Sequence, residues 1–249
     1  MRLTVLGSSA SYADAGRACS GHLVRGEGAA VLFDCGNGVL ANLASVMDPL
    51  GLDAVFVTHE HIDHFADIYA LQAALRYAPS GPAPALPLYV PPGLFRRMGA
   101  VLDAKGQAEL AEAFVVHELT VGMDVRFGGL TVHVGAGDHV DPTFTLSASD
   151  GRSRLVYTSD TRFGEIALAS ARGADILLTE ATLPPEYAGR AAHMTPAEAG
   201  ELAREAEAGT LVLTHLWPTV DRVAAAAEAG VSFKGRIIVA SELDEIASK

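Results

Sequence analysis

Two β-sheets packed face to face, with helices on both outer surfaces, is the architecture this sequence predicts: a four-layer αββα sandwich of the α/β (α+β) class, in one domain over residues 1–249. Two observations point there. In each half of the chain short β-hairpin patterns come first and helix–strand units follow, an order that stacks sheets on each other and leaves the helices outside. No linker or low-complexity tail interrupts the chain, whose length and 49% hydrophobic content allow one sizeable core.

Residues 3–6 read as a first strand, broken at Gly7-Ser8-Ser9 into a turn-rich loop that runs to about Gly21. Residues 22–25 and 30–33 make a hairpin pattern around Gly26-Glu27-Gly28. Residues 39–46 carry apolar side chains at helical spacing, 54–58 are a strand, and 65–77 (Phe65, Ile68, Leu71, Leu75) form a helix packed on the sheet. Pro79, Pro82, Pro84 and Pro87 punctuate a loop that is a rigid connector or, as the lesser alternative, the rim of a site. A short strand at 88–90 precedes helical segments at 92–103 and 107–114. Strand patterns follow at 115–119, 124–127 and 130–134, the last two joined at Gly128-Gly129, and then at 143–148 and 154–158 across Asp150-Gly151. From there helices (163–171, 196–208 capped by Thr195, 220–229) alternate with strands (176–180, 211–214, 237–240).

Composition narrows the function. A net charge of −12 argues against an extended nucleic-acid surface, because polyanion binders carry a basic face. A small phosphate substrate stays open, since bound metal ions can outweigh the global field at a site. Cys19 and Cys35 are too few for a disulfide framework, which points to a reducing compartment. The apolar stretch at the N-terminus is too short for a signal peptide, and nothing approaches the roughly 18 apolar residues of a membrane span. A cytoplasmic protein without a membrane anchor is the expectation.

The chemistry concentrates at one stretch. Val55, Phe56 and Val57 end a buried strand and are followed by His59, His61, Asp63 and His64. Imidazole and carboxylate donors suit zinc, manganese or iron, and four of them in one short loop exceed what a single ion draws from one segment. Two ions with further ligands from later in the chain are implied. Of the nine histidines, His139 and His215 also follow strand-like runs, and Asp160 does the same. Site residues collected at strand ends are what a rigid scaffold with functional loops produces. His117 and His133 lie inside strands and read as packed or half-exposed surface residues; His22 is ambiguous.

Thr58-His-Glu-His-Ile-Asp-His64 resembles the T-H-x-H-x-D-H signature of the metallo-β-lactamase fold superfamily, and His139, Asp160 and His215 line up in that superfamily's order. The resemblance implies the αββα sandwich and a centre of two divalent metal ions, most simply zinc. His59, His61 and His139 would hold one ion, Asp63, His64 and His215 the other, and Asp160 would bridge them. Histidine at position 61, where redox relatives place a carboxylate, favours hydrolysis. Glu60 occupies a variable position and is expected to point away from the metals.

Glu180-Ala-Thr182 and Ala192-His-Met-Thr195 are similar to the ribonuclease Z-type phosphodiesterases of that superfamily. The resemblance implies that Glu180 orients His193, which protonates the leaving oxygen; with Asp63 these are the candidate catalytic residues. Only residues 140–159 separate His139 from Asp160, room for one hairpin and none for that family's tRNA-gripping arm. The layout, with Leu32-Phe-Asp-Cys-Gly-Asn-Gly38 and Leu213-Thr-His-Leu-Trp-Pro218, is more similar to short armless bacterial members, some of them cyclic-nucleotide phosphodiesterases. The implied activity is a phosphodiesterase that attacks a small phosphodiester such as cyclic AMP through a metal-bridging hydroxide. The alternatives are RNA 3′-processing and ester, thioester or lactone hydrolysis. By the same analogy the chain is expected to form a homodimer.

Overall fold

The computed structural model describes residues 1–248. Its first sheet runs, in spatial order, β14 (Glu245–Ala247), β1 (Arg2–Gly7), β2 (Gly21–Gly26), β3 (Ala29–Phe33), β4 (Ala54–Phe56), β5 (Leu86–Val90) and β6 (Phe114–Glu118). The second runs β13 (Arg236–Val239), β12 (Thr210–Thr214), β11 (Ile176–Glu180), β10 (Arg154–Tyr157), β9 (Phe144–Ser149), β8 (Leu130–Ala136) and β7 (Asp124–Phe127). Each sheet is built from antiparallel neighbours first and parallel neighbours afterwards: β1–β2–β3 then β4–β5–β6, and β7–β8–β9–β10 then β11–β12–β13. The hairpin-then-crossover order of each half is thus a repeat of topology.

Strand alternation assigns the layers. On the inner faces Val31, Phe33, Phe56, Leu146, Tyr157, Leu178 and Val212 meet in one core between the sheets. Their chain neighbours Leu32 and Val55 point outward to a second core under α1 (Val39–Val46), α2 (Ile68–Arg76), α3 (Leu94–Gly99) and α4 (Ala104–Ala113). Val156, Leu177, Leu211 and Leu213 do the same on the other side, under α5 (Glu165–Ala171), α6 (Pro196–Glu205) and α7 (Arg222–Ser232). A period of two with both faces apolar is the mark of sheets buried on both sides. Phe56 ties the layers together: it stacks on Tyr89 at 4.4 Å and meets Phe127 of the opposite sheet edge-on at 6.1 Å.

Where elements differ from the sequence expectation, hydrogen bonding explains it. The helix expected over 65–77 begins at Ile68, because residues Ile62–His64 form a 3-10 turn and the Asp67 backbone N–H is held by the Cys35 carbonyl. The helix expected over 92–103 stops at Gly99, since the Asp103 side chain accepts from Gly106 N and caps α4 instead. Likewise Asp221 accepts from Val223 and Ala224 N, so α7 starts at Arg222 and runs on to Ser232. Pro87 belongs to strand β5 and not to the connector; its missing N–H is tolerated because pairing with β4 begins only at Leu88. Strand β14, absent from the expectation, is a three-residue edge strand that buries Ile246 and pairs it with Leu3 of β1. Thr195 caps α6 as expected, in a reciprocal capping box with Glu198.

The topology fixes where the loops go. β1, β3 and β4 run in one direction, as do β8, β10, β11 and β12, so each sheet delivers its loop-bearing strand ends to one edge. Those edges coincide: Ser9, just past β1, bridges to Leu216, just past β12, with Leu216 N donating to Ser8 O at 3.0 Å.

Candidate metal centre

At this shared edge the structure brings together His59, His61, Asp63, His64, His139, Asp160 and His215. Donor atoms of His59, His61, His139 and Asp160 lie within 4.8 Å of one another, and those of Asp63, His64 and His215 form a second such group. Asp160 reaches both: its Oδ2 is 3.6 Å from His59 Nε2, 3.8 Å from His139 Nε2 and 3.4 Å from His64 Nε2. All are buried or half-buried except His61, on the solvent side.

The outer nitrogens of four rings are already committed. His64 Nδ1 lies 2.7 Å from Asp34 Oδ2, His139 Nδ1 2.7 Å from the Ala192 carbonyl, His215 Nδ1 2.9 Å from Thr182 Oγ1, and His59 Nδ1 3.1 Å from Thr58 Oγ1. The Thr182 hydroxyl donates to His215 O and the Thr58 hydroxyl to Asp34, so each can only accept from its imidazole. With every Nδ1 a donor, every Nε2 turns a lone pair inward. His64 Nε2 and His215 Nε2 then face each other at 3.3 Å, and His139 Nε2 faces His61 Nδ1 at 3.1 Å. The His64–His215 contact sets lone pair against lone pair, which repel unless a cation or proton lies between them. His59 Nε2 and Asp160 Oδ1 are moreover buried without any hydrogen-bond partner. Converging lone pairs, orphaned donors and an N/O ligand set fit divalent metal ions.

Charge tells the same story. Burial alone would depress His64, but the Asp160 and Asp34 carboxylates hold it well above the usual imidazole range. Burial, reinforced by the His64 charge, holds His59 well below that range. A proton drawn to His64 in the metal-free chain occupies the lone pair a cation would take, which makes metal binding proton-releasing.

Beneath the cluster Asp34 gathers four donors: Thr58 N at 2.8 Å, Thr58 Oγ1 at 3.0 Å, Tyr157 OH at 2.9 Å and His64 Nδ1 at 2.7 Å. It is fully buried and joins the two sheets directly under the site. Asp34, Ser159 and His215 adopt left-handed backbone conformations (φ 58°, 56° and 49°). For non-glycine residues each costs on the order of 1–2 kcal/mol, and such strain persists where the surroundings over-determine a functional geometry. Gly36 lets the chain close under the loop, since a Cβ there would sit 1.9 Å from the Asp63 carbonyl oxygen.

Glu180 and His193 meet as well. His193 Nδ1 is 2.9 Å from Glu180 Oε1. Glu180 is fully buried and also accepts from Thr161 N at 2.7 Å and Met194 N at 3.2 Å, which fixes it as an acceptor. Burial would lower His193, but the hydrogen bond and charge of Glu180 override it and raise the imidazole to about 9. The ring also reaches the cluster: its donor atoms lie within 4.8 Å of those of Asp160 and His215.

Glu60 points away and pairs with Arg97. His117 stacks on Tyr89 and His133 pairs with Asp124, both exposed, as packed surface histidines do. His22 is fully buried against Tyr157 with both ring nitrogens unpartnered, and burial lowers it to about 3. The orienting groups Asp34, Thr58, Ser159, Thr182 and the Ala192 carbonyl were not foreseen. Asp34, Thr58, Thr182 and Ala192 stand inside motifs noted above, but nothing in residue type or spacing there marks them as orienting groups.

With this geometry in place, likeness to other proteins becomes informative. A family model described as the beta-lactamase superfamily domain matches residues 29–216. The chain belongs to that family, and it is a hydrolase of the metallo-β-lactamase fold. Among its relatives is a protein named ribonuclease Z from Mycobacterium bovis, 32% identical and covering 99% of this chain and 98% of the relative. Another is the probable metallo-hydrolase YhfI of Bacillus subtilis, 30% identical over 87% of each. The crystal structure of YhfI superposes with a TM-score of 0.87 at 28% identity, covering 98% of both chains.

Proposed function

We propose that this protein is a dinuclear metal-dependent phosphodiesterase acting on a small phosphodiester such as cyclic AMP. His59, His61 and His139 would hold one ion and Asp63, His64 and His215 the other, with Asp160 reaching both. Two divalent ions there, zinc by the donor set with manganese or iron as alternatives, would supply water activation and charge neutralisation at a phosphoryl group.

The observation that carries the reading is the Glu180–His193 pair beside the donor cluster. Glu180 binds Nδ1, so the proton on His193 Nε2 is the one available to a departing alkoxide oxygen. The hydrogen bond and charge of Glu180 favour the protonated ring. A side chain 17% exposed can be reprotonated from solvent after each turnover. Ester, thioester or lactone hydrolysis has less need of such a pair. Asp63, held by Ser11 N at 2.8 Å and 3.3 Å from His215 Nε2, positions the second donor group.

A small substrate is favoured by the net charge of −12 and by the chain between His139 and Asp160, which holds only the β9–β10 hairpin. The relative named ribonuclease Z favours the second reading, RNA 3′-processing. A panel of cyclic AMP, bis(p-nitrophenyl) phosphate, a thioester, a lactone and a precursor tRNA, with Zn²⁺ or Mn²⁺ added, separates them. Turnover of the first two is expected. Hydrolysis confined to the thioester or lactone refutes the proposal, and trimming of the tRNA faster than cyclic AMP replaces it with the second reading.

A further inference from the structure

The chain leaves the sheet edge after Leu183 and returns at Met194, where Leu183 N donates to Met194 O at 3.0 Å. Residues 184–193 form a loop whose base is bound into the candidate centre. Glu180 accepts from His193 and Met194, and the Ala192 carbonyl accepts from His139 Nδ1. Its outer part carries Tyr187 and Arg190. The Tyr187 ring, 39% exposed, meets Trp217 edge-to-face, with centroids 6.2 Å apart and planes at 73°. Trp217 is the chain's single tryptophan and lies two residues past His215. Neither ring belongs to any of the three apolar cores.

The guanidinium of Arg190 lies 5.3 Å from the Tyr187 ring centroid and has no carboxylate partner among the described residues. By contrast, Arg97 of α3 pairs with Glu60, and Arg162 in the loop after β10 pairs with Asp138. Arg190 is thus a cation without a carboxylate partner, packed over Tyr187, in a chain with an excess of twelve acids over bases.

We infer that Tyr187 and Trp217 form a stacking wall for the flat base of a nucleoside phosphate, with Arg190 as the positive charge that draws its phosphate toward the centre. This rests on the phosphodiesterase reading and names its substrate class. Arg190 packs over one face of Tyr187, and the edge-to-face arrangement leaves a further π-face of the two rings for a third aromatic plane. Base–aromatic stacking tolerates every base, so the wall distinguishes nucleotides from base-free phosphates more than one nucleobase from another.

The lone tryptophan reports on this directly. The full chain, loaded with Zn²⁺, is titrated with AMP and with ribose 5-phosphate while Trp217 emission is followed. Saturable quenching by AMP and none by ribose 5-phosphate is expected. Tyr187→Ala should weaken AMP binding by about 5- to 100-fold, Tyr187→Phe should retain it, and Arg190→Gln should weaken it and flatten its salt dependence. Unchanged emission at millimolar AMP overturns the inference, as does a Tyr187→Ala variant that binds AMP like the parent. Failure of the phosphodiesterase reading shows separately, as absent hydrolysis of bis(p-nitrophenyl) phosphate and cyclic AMP by the same preparation.

Discussion

Replacing His193 with alanine separates proton donation from metal binding. The side chain bonds only Glu180, whereas the hydrogen bond to His139 comes from the backbone carbonyl of Ala192, which the substitution leaves in place. Both donor groups therefore keep their geometry, and the variant should bind as much metal as the parent. What it loses is a positioned acid. Such a group contributes about 10²- to 10⁴-fold, roughly 3–5 kcal/mol of barrier, when the leaving group is an alkoxide that departs poorly without a proton. A nitrophenolate needs none. His193→Ala should thus lose about 10²- to 10⁴-fold in kcat on cyclic AMP and less than about tenfold on bis(p-nitrophenyl) phosphate, with metal content measured on the same samples. An equal fall on both substrates would refute the leaving-group role, and loss of metal would make His193 structural.

Other consequences follow from the same contacts. Asp34→Asn keeps a residue that tolerates positive φ but removes the charge and one acceptor, leaving four donors to share a single oxygen. Zinc affinity measured by competition with a chelator should fall about 10- to 100-fold; unchanged affinity would show that the carboxylate does not tune His64. In the metal-free chain the folded value of His193, about 9, lies above the ordinary 6.5. Its contribution, roughly 3 kcal/mol, is fully present below pH 6.5 and is lost as pH rises through 9. Denaturant titrations across that window should show the loss, and Glu180→Gln should abolish the pH dependence. Thr195→Ala removes one half of the α6 capping box and should cost about 1 kcal/mol, or roughly 2–4 °C in Tm, without altering metal content.

Much of this was legible from residue type and place. Five histidines and Asp160 stand just past apolar runs, and parallel strands bring such positions to one edge. The period-two alternation that buries Val31 and Phe33 against the other sheet and Leu32 against helices is equally visible along the chain. The orienting shell was not, because it depends on pairs far apart in sequence: Asp34 with His64 and Tyr157, Thr182 with His215, Ala192 with His139. A hydroxyl or a backbone carbonyl carries no periodic signal. Helix starts slipped for a related reason. Asp103 and Asp221 have caps to make, and their side-chain hydrogen bonds outrank the apolar spacing around them. Strand β14 is legible only through its partner β1, since three residues with alternating exposed and buried faces carry too little pattern of their own.

The pairing of two donor groups through Asp160 is what everything else depends on, and metal stoichiometry tests it most directly. The purified chain, saturated with Zn²⁺ and freed of excess by gel filtration, should carry two ions by elemental analysis, and Asp160→Asn should retain clearly fewer. One ion or none in the parent at saturation would contradict a dinuclear centre.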